Sequence, residues 1–222
     1  KVKRWISQTH FITEVTLYDA LDRVTETWME QPDGTRLSHK KLFYDAFGNI
    51  IKQQEDDLVE EITYVQGTRP HLLKNSLGHI TTIEYLENQK NQFGHYYLEK
   101  RITDPQGVVT STCYDALGRK ILLLVTDPLV QEISKKELLY DATGNLTVEI
   151  IKNQPDQRTE WSYGPLNRLE SLSEAVGTAA ERKTTYAYSA SGFLRTTKHS
   201  HEAFAYEYYL NYRGQLQTIY QK

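Results

Sequence analysis

The hexapeptide Tyr114-Asp115-Ala116-Leu117-Gly118-Arg119 recurs along this chain, and that recurrence limits the fold more than any other feature. Close copies are Tyr18-Asp19-Ala20-Leu21-Asp22-Arg23, Tyr44-Asp45-Ala46-Phe47-Gly48-Asn49 and Tyr140-Asp141-Ala142-Thr143-Gly144-Asn145. Looser copies are Tyr163-Gly164-Pro165-Leu166-Asn167-Arg168, Tyr188-Ser189-Ala190-Ser191-Gly192-Phe193, Lys74-Asn75-Ser76-Leu77-Gly78-His79, Thr103-Asp104-Pro105-Gln106-Gly107-Val108 and Leu210-Asn211-Tyr212-Arg213-Gly214-Gln215. Measured at the fifth position, the nine copies are separated by 26, 30, 29, 11, 26, 23, 25 and 22 residues. Most repeats are therefore one supersecondary unit long, and the chain is a repeat architecture. The step of 11 marks Asp104-Pro105-Gln106-Gly107 as the far-side turn of a single hairpin.

Each copy encodes a turn. Asp or Asn at the second position accepts backbone N–H groups two residues on, and glycine at the fifth supplies the positive φ with which a type I turn closes through a bulge. Asp22 and Asn167 replace that glycine in two copies, and they belong to the residue types that best tolerate the left-handed conformation. Flanking residues alternate with a period of two. Leu42, Leu138, Trp161, Tyr186 and Tyr208 precede the turn on one strand face; Val24, Ile50, Ile80, Leu146, Leu169, Leu194 and Leu216 follow it. Half-buried antiparallel strands read this way. A second, polar kind of turn, such as Gln31-Pro32-Asp33-Gly34, alternates with the first, which makes a meander. The expected class is all-β: a repetitive antiparallel meander of about 18 strands.

This Y-D-x-x-G-[R/N] repeat resembles the YD or Rhs repeat of bacterial Rhs proteins, wall-associated proteins, insecticidal toxin-complex shells and the animal teneurins. The resemblance covers essentially the whole chain. It implies a curved or spiralling sheet that is part of a β-shell, enclosing or displaying a polypeptide such as a C-terminal toxin, in a secreted or cell-surface bacterial protein without enzymatic activity. The repeat-turn residues Tyr18, Asp19, Tyr44, Asp45, Gly48, Gly78, Tyr114, Asp115, Gly118, Tyr140, Asp141, Gly144, Tyr163, Tyr188, Gly192 and Gly214 are then structural, and the partners are other repeats of the parent chain and an enclosed segment. An adhesin-like module that binds a glycan or a protein receptor through tyrosine-rich faces is the alternative. The shells that this family builds end in an Asp-Pro-x-Gly segment tied to self-cleavage; here Gly107 is followed by Val108-Val109-Thr110 and by further repeats, which argues against such a site.

Composition narrows the chemistry. Hydrophobic residues make up 39% and tyrosine alone contributes 16, so aromatic packing on pleated surfaces carries much of the stabilisation. Net charge is −3 with both signs interspersed, and the basic stripe of a nucleic-acid binder is missing. The single cysteine, Cys113, leaves no intrachain disulfide and reads as a buried thiol. No signal peptide opens the chain, and no apolar run approaches the roughly 18 residues of a membrane span. Regular repetition favours one domain over residues 1–222, and the abrupt start at Lys1 reads as a fragment of a larger protein. About 18 strands at about 4.8 Å spacing curl into a tube too narrow for a folded cargo domain, so a shell segment of this size is one part of a longer spiral.

Other constellations are weaker. Glu55, Asp56, Asp57, Glu60 and Glu61 cluster without the spacing of a calcium loop and read as solvated surface. His199-Ser200-His201 with Glu202 lacks a further ligand at a diagnostic spacing. Asn145-Leu146-Thr147 is a formal glycosylation sequon. The chain carries no nucleophile elbow, phosphate loop or HExxH, so no cofactor or metal is expected. The continuous run Ile121-Leu122-Leu123-Leu124-Val125 suggests a strand covered on both faces and the packed centre. Gly67-Thr68-Arg69-Pro70 is expected to break a strand, 87–94 to be a polar loop, and 173–181 to be a loop or one helical turn.

Overall fold

A computed structural model describes residues 2–5, 11–90, 94–152, 156–200, 205–211 and 213–221. The chain clusters into two compact units, Lys1–Tyr85 with Lys100–Val109, and Leu86–Glu99 with Thr110–Lys222. Nineteen strands are present among the described residues: β1 (Val2–Trp5), β2 (Phe11–Tyr18), β3 (Val24–Glu30), β4 (Arg36–Tyr44), β5 (Ile50–Glu55), β6 (Leu58–Val65), β7 (Arg69–Lys74), β8 (Ile80–Lys90), β9 (Tyr96–Thr103), β10 (Val109–Tyr114), β11 (Lys120–Thr126), β12 (Glu132–Tyr140), β13 (Leu146–Lys152), β14 (Gln157–Gly164), β15 (Arg168–Glu174), β16 (Arg182–Tyr188), β17 (Leu194–His199), β18 (Ala205–Leu210) and β19 (Leu216–Gln221). The three-residue 3-10 turn Pro165–Asn167 is the one helical element among them.

In the first unit each strand from β1 to β7 pairs antiparallel with its successor, and β7 continues into β8. In the second unit the same holds from β11 through β19. The all-β antiparallel meander expected from the repeat is what the chain forms. In a meander of this kind the turns after even-numbered strands lie at one end of the unit and those after odd-numbered strands at the other. The repeat turns at Asp19, Asp45, Asp115, Asp141, Gly164, Ser189 and Asn211 all follow even strands.

That parity puts one of the copies out of phase. The copy at Asn75 follows β7, at the opposite end of its unit from the turns at Asp19 and Asp45. It has the same turn chemistry and a different place. The position in phase is Tyr64, where β6 turns into β7 through Gln66 (φ 50°) and Gly67 (φ 79°). That turn lacks the aspartate and is shorter, which hides it from a search for the hexapeptide. Pro70 does not break the strand either: it lies within β7, opposite Tyr64. Residues 87–90 belong to β8 and not to a loop. Residues 175–181 form turns rather than a helical segment.

Burial is shallow. Among the described residues the buried apolar side chains are Val15, Trp28, Ile83 and Cys113, the last 4% exposed. The run 121–125, expected to be the packed centre, is only half-buried throughout. Packing instead follows cross-strand pairs, the unit in which a sheet is stabilised. In the first unit Val15 faces Trp28, and Trp28 faces His39. The His39 ring meets the indole edge-on at 5.7 Å, the Arg36 guanidinium lies 4.3 Å from the indole centroid, and His39 Nε2 is 2.9 Å from Glu26 Oε2. In the second unit polar pairs take a comparable part: Thr184 Oγ1 is 2.9 Å from His199 Nδ1, and Thr197 Oγ1 is 3.0 Å from the Tyr208 hydroxyl.

Two turns with the same hydrogen bonds separate backbone strain from bonding. At Asp115 the fourth turn residue is Gly118 (φ 76°); at Asp127 it is Val130 (φ 62°). In both, the aspartate carbonyl accepts the N–H of that residue, at 2.9 and 3.0 Å. A β-branched residue in this conformation is an outlier. Val130→Gly is expected to raise stability, and Gly118→Ala, whose new Cβ meets nothing within 4 Å, to lower it, each by about 1 kcal/mol, as read from urea denaturation curves.

Candidate functional site

The repeat turns are built around one carboxylate. Oδ1 of Asp115 accepts the N–H of Leu117 and of Arg119, both at 2.9 Å. Asp19, Asp45 and Asp141 do the same with residues two and four further on. The second oxygen takes the side chain at the sixth repeat position: Nε of Arg23 and of Arg119 at 2.7 Å, Nδ2 of Asn49 at 2.8 Å and of Asn145 at 3.0 Å. Arginine or asparagine recurs there because either donates sideways to a carboxylate four residues back. This role of the sixth position was not read from the sequence, although its restriction to Arg and Asn in the close copies was the available signal.

These donors favour the charged carboxylate. The Arg23 side chain, first among its partners, holds Asp19 below the usual carboxylate range, and the Asn49 amide does so for Asp45. The Thr143 hydroxyl, followed by the Asn145 amide, lowers Asp141 to about 2. At Asp115 partial burial pushes upward and is outweighed by the backbone and side-chain donors of Arg119.

Among the described residues, four turns also grip the next through its tyrosine. The hydroxyl of Tyr44 donates to the Val24 carbonyl at 2.6 Å, Tyr64 to Ile50 at 2.9 Å, Tyr140 to Lys120 at 2.8 Å, and Tyr188 to Leu169 at 2.9 Å. In every case the acceptor directly follows the sixth position of the preceding turn. The guanidinium at that sixth position lies over the same tyrosine ring: Arg23 over Tyr44 at 4.5 Å, Arg119 over Tyr140 at 4.7 Å, Arg168 over Tyr188 at 5.7 Å. Arg23 and Arg119 reach further, to the backbone carbonyls of Asp45 and Asp141, each at 3.4 Å.

The repeat glycines answer mainly to φ, and at Gly214 to space as well. A Cβ on Gly48 or Gly144 would sit 4.0 or 3.9 Å from the preceding arginine, on Gly192 it would sit 2.6 Å from Arg168, and on Gly214 it would strike the Phe193 ring at 2.4 Å. Gly118 and Gly78 have open space at that point. Asn145 continues the ladder through its amide, which also lies 3.2 Å from Asn167 Oδ1; its sequon nitrogen is thus engaged within the sheet. Tyr114 and Tyr163 are half-buried, and Tyr18 is exposed.

The remaining candidates do not assemble into a reactive centre. Among the described residues no group of three or more His, Cys, Asp or Glu side chains has the geometry to hold a metal ion. His199 bonds Thr184 and packs edge-on against Tyr206 at 6.4 Å, while His201 and Glu202 lie outside the described residues. Within the acidic cluster Asp56 serves the fold. Its N–H donates to the His39 carbonyl at 2.9 Å, and its Oδ1 accepts the His39 N–H at 3.0 Å, tying the β5–β6 turn back to β4. No helix is long and apolar enough to cross a membrane.

No family model matches the chain, and no curated protein matches it. Among solved structures it is similar to the TcdB2-TccC3-Cdc42 complex, with 13% identity over 92% of this chain and 15% of that one and a TM-score of 0.43. It is similar also to a TccC3-mutant Photorhabdus luminescens Tc holotoxin pore, with 13% identity over 95% of this chain and 17% of that one and a TM-score of 0.41. A porin-like protein from Bacteroides uniformis matches at 13% identity over 99% of this chain and 92% of that one, with a TM-score of 0.33.

Removing a ladder hydroxyl while keeping the ring, as in Tyr44→Phe, is expected to cost about 1 kcal/mol of stability, measured by denaturant unfolding. The aspartates give a second test. Their folded pKa values lie below the unfolded 3.8, so their contribution is fully present above that pH and is lost as pH falls through the folded values, near 2 for Asp141. The unfolding midpoint is expected to hold from pH 6 to the unfolded value and to fall below it, with a shallower fall in Asp141→Asn, as followed by circular dichroism.

Proposed function

We propose that this chain is a non-enzymatic structural segment of a YD-repeat shell, part of a larger secreted or surface bacterial protein that encloses or displays a polypeptide such as a C-terminal toxin. The observation that carries the reading is the turn-to-turn ladder. The residues that make the repeat recognisable are consumed in joining one repeat to the next: Asp19, Asp45, Asp115 and Asp141 by their own turns, Tyr44, Tyr140 and Tyr188 by the preceding arginine and carbonyl. A surface built to bind a ligand keeps its aromatic faces and polar groups available; a wall spends them on its own continuity. The resemblance of the repeat to YD and Rhs sequences supports the same reading.

The adhesin-like reading keeps one specific observation. Tyr209 and Tyr220 are 47% and 57% exposed and meet edge-on at 5.3 Å. Beside them an open cleft of about 450 Å³ is lined by Phe193, Leu194, Tyr208 and Tyr209, with Ser189 and Asn211. Exposed rings beside hydroxyl and amide groups suit a sugar or a protein loop.

Limited proteolysis of the parent protein, followed by mass spectrometry, separates the two. If this chain is a wall, a segment of the parent outside the repeats resists digestion until the repeats are cut. Early cleavage of every such segment while the repeats stay intact removes enclosure and moves the adhesin reading forward, to be tested on a glycan array with Tyr209→Ala as the control.

A further inference from the structure

At the end of the first unit opposite the turns at Asp19 and Asp45, the β5–β6 and β7–β8 turns enclose an open cleft of about 560 Å³. Glu55, Asp57, Leu58 and Glu60 line it from one hairpin, and Asn75 and Leu77 from the other turn. The strand residues share one face of the sheet, because Glu55 stands opposite Leu58 and Gln53 opposite Glu60, and opposed residues point the same way.

Two features of this cleft do nothing for the sheet. Leu58 and Leu77 are 66% and 79% exposed, so its apolar sides are left uncovered. Its carboxylates also lack counter-charges. Among the described residues no cation lies within ion-pair distance of Glu55, Asp57 or Glu60, although Lys40 stands opposite Glu55 in register. The adjacent acids differ. Glu61, on the other face, is paired with Lys74 at 3.6 Å, and Asp56 is taken up by the His39 N–H.

The leucines and the carboxylates together select the occupant. A divalent cation is held by oxygens alone and makes no use of the leucines, and among the described residues no group of three or more His, Cys, Asp or Glu side chains has the geometry to hold a metal ion. Lysine and arginine suit both features, since their methylene stems lie along apolar surface while the charged head reaches a carboxylate. Spacing adds a pattern. Glu55 and Glu60 are diagonal neighbours across β5 and β6, about 7 Å apart, and alternate side chains of an extended peptide are also about 7 Å apart. Turns two strands apart leave about 10 Å between them, room for one extended chain.

We propose that this cleft docks an extended basic segment of a partner polypeptide, with arginine or lysine at alternate positions. Successive cations of that segment meet Glu55 and Glu60, and their stems cover Leu58 and Leu77. The cleft lies apart from the tyrosine–arginine ladder, so the docking site stands whether the chain is a wall or an adhesin.

The probe is an end-blocked hexapeptide of alternating arginine and threonine, titrated into the 222-residue chain at low salt and followed by amide chemical shifts. Shifts are expected to centre on residues 53–60 and 75–77 and to fade as salt is added. Glu60→Gln is expected to weaken binding about two- to fivefold, and Leu77→Ser to weaken it as well. Glu61→Gln, which removes the same charge from the other face, is expected to leave it unchanged. These side chains are exposed, so none of the substitutions threatens folding. Equal losses in Glu60→Gln and Glu61→Gln would overturn the proposal, because the peptide would then be reading net charge alone. Unchanged binding in Leu77→Ser would do the same, as would calcium ions producing the same shifts whether or not Leu77 is present. Concentration-dependent shifts at these residues without peptide would make a second copy of the chain the occupant and overturn it too.

Discussion

The carboxylate at the second repeat position is the interaction on which the rest depends. One oxygen of Asp19, Asp45, Asp115 or Asp141 gathers two backbone N–H groups, and the other fixes the side chain four residues on. The first set closes the turn and sets the register of two strands. The second orients the arginine or asparagine along the stack of turns, so that it reaches the tyrosine and glycine of the next repeat. A local feature of six residues thereby becomes a long-range one, and the periodicity of the sequence becomes periodicity in space.

This arrangement explains how a long chain folds with so few fully buried side chains. A repeat protein contacts mainly its nearest neighbours, and its stability is close to a sum of repeat and interface contributions. Here the interface contribution comes from half-buried cross-strand pairs and from the Tyr–Arg–carbonyl contacts at one end. Where the sixth residue is Phe193, the ring takes over the packing on Gly214 and the polar grip is lost. The open cleft beside Phe193 lies at that departure from the pattern, and the second functional reading rests there.

Polar groups that look reactive in the sequence have structural partners. Asp56 caps a turn onto β4, His39 bonds Glu26 beside Trp28, and His199 bonds Thr184. Their chemistry maintains the sheet itself.

The sequence by itself determined the antiparallel meander and the chemistry of its turns, because the aspartate, the glycine and the two-residue alternation act within one hairpin and need no distant partner. Asp22 and Asn167 could be placed at positive φ for that reason, and both have it. The tertiary structure decided everything that depends on which strand follows which. It put the Asn75 turn at the end opposite those of Asp19 and Asp45 and Tyr64 in phase with them, since parity along the meander is a count of strands and not a property of a hexapeptide. It also left Ile121–Val125 half-buried, because an apolar run fixes what prefers to be covered and only the neighbouring elements fix what covers it. The bond from Tyr44 to Val24 spans 20 residues of chain, a distance at which residue types show preference and only coordinates show contact.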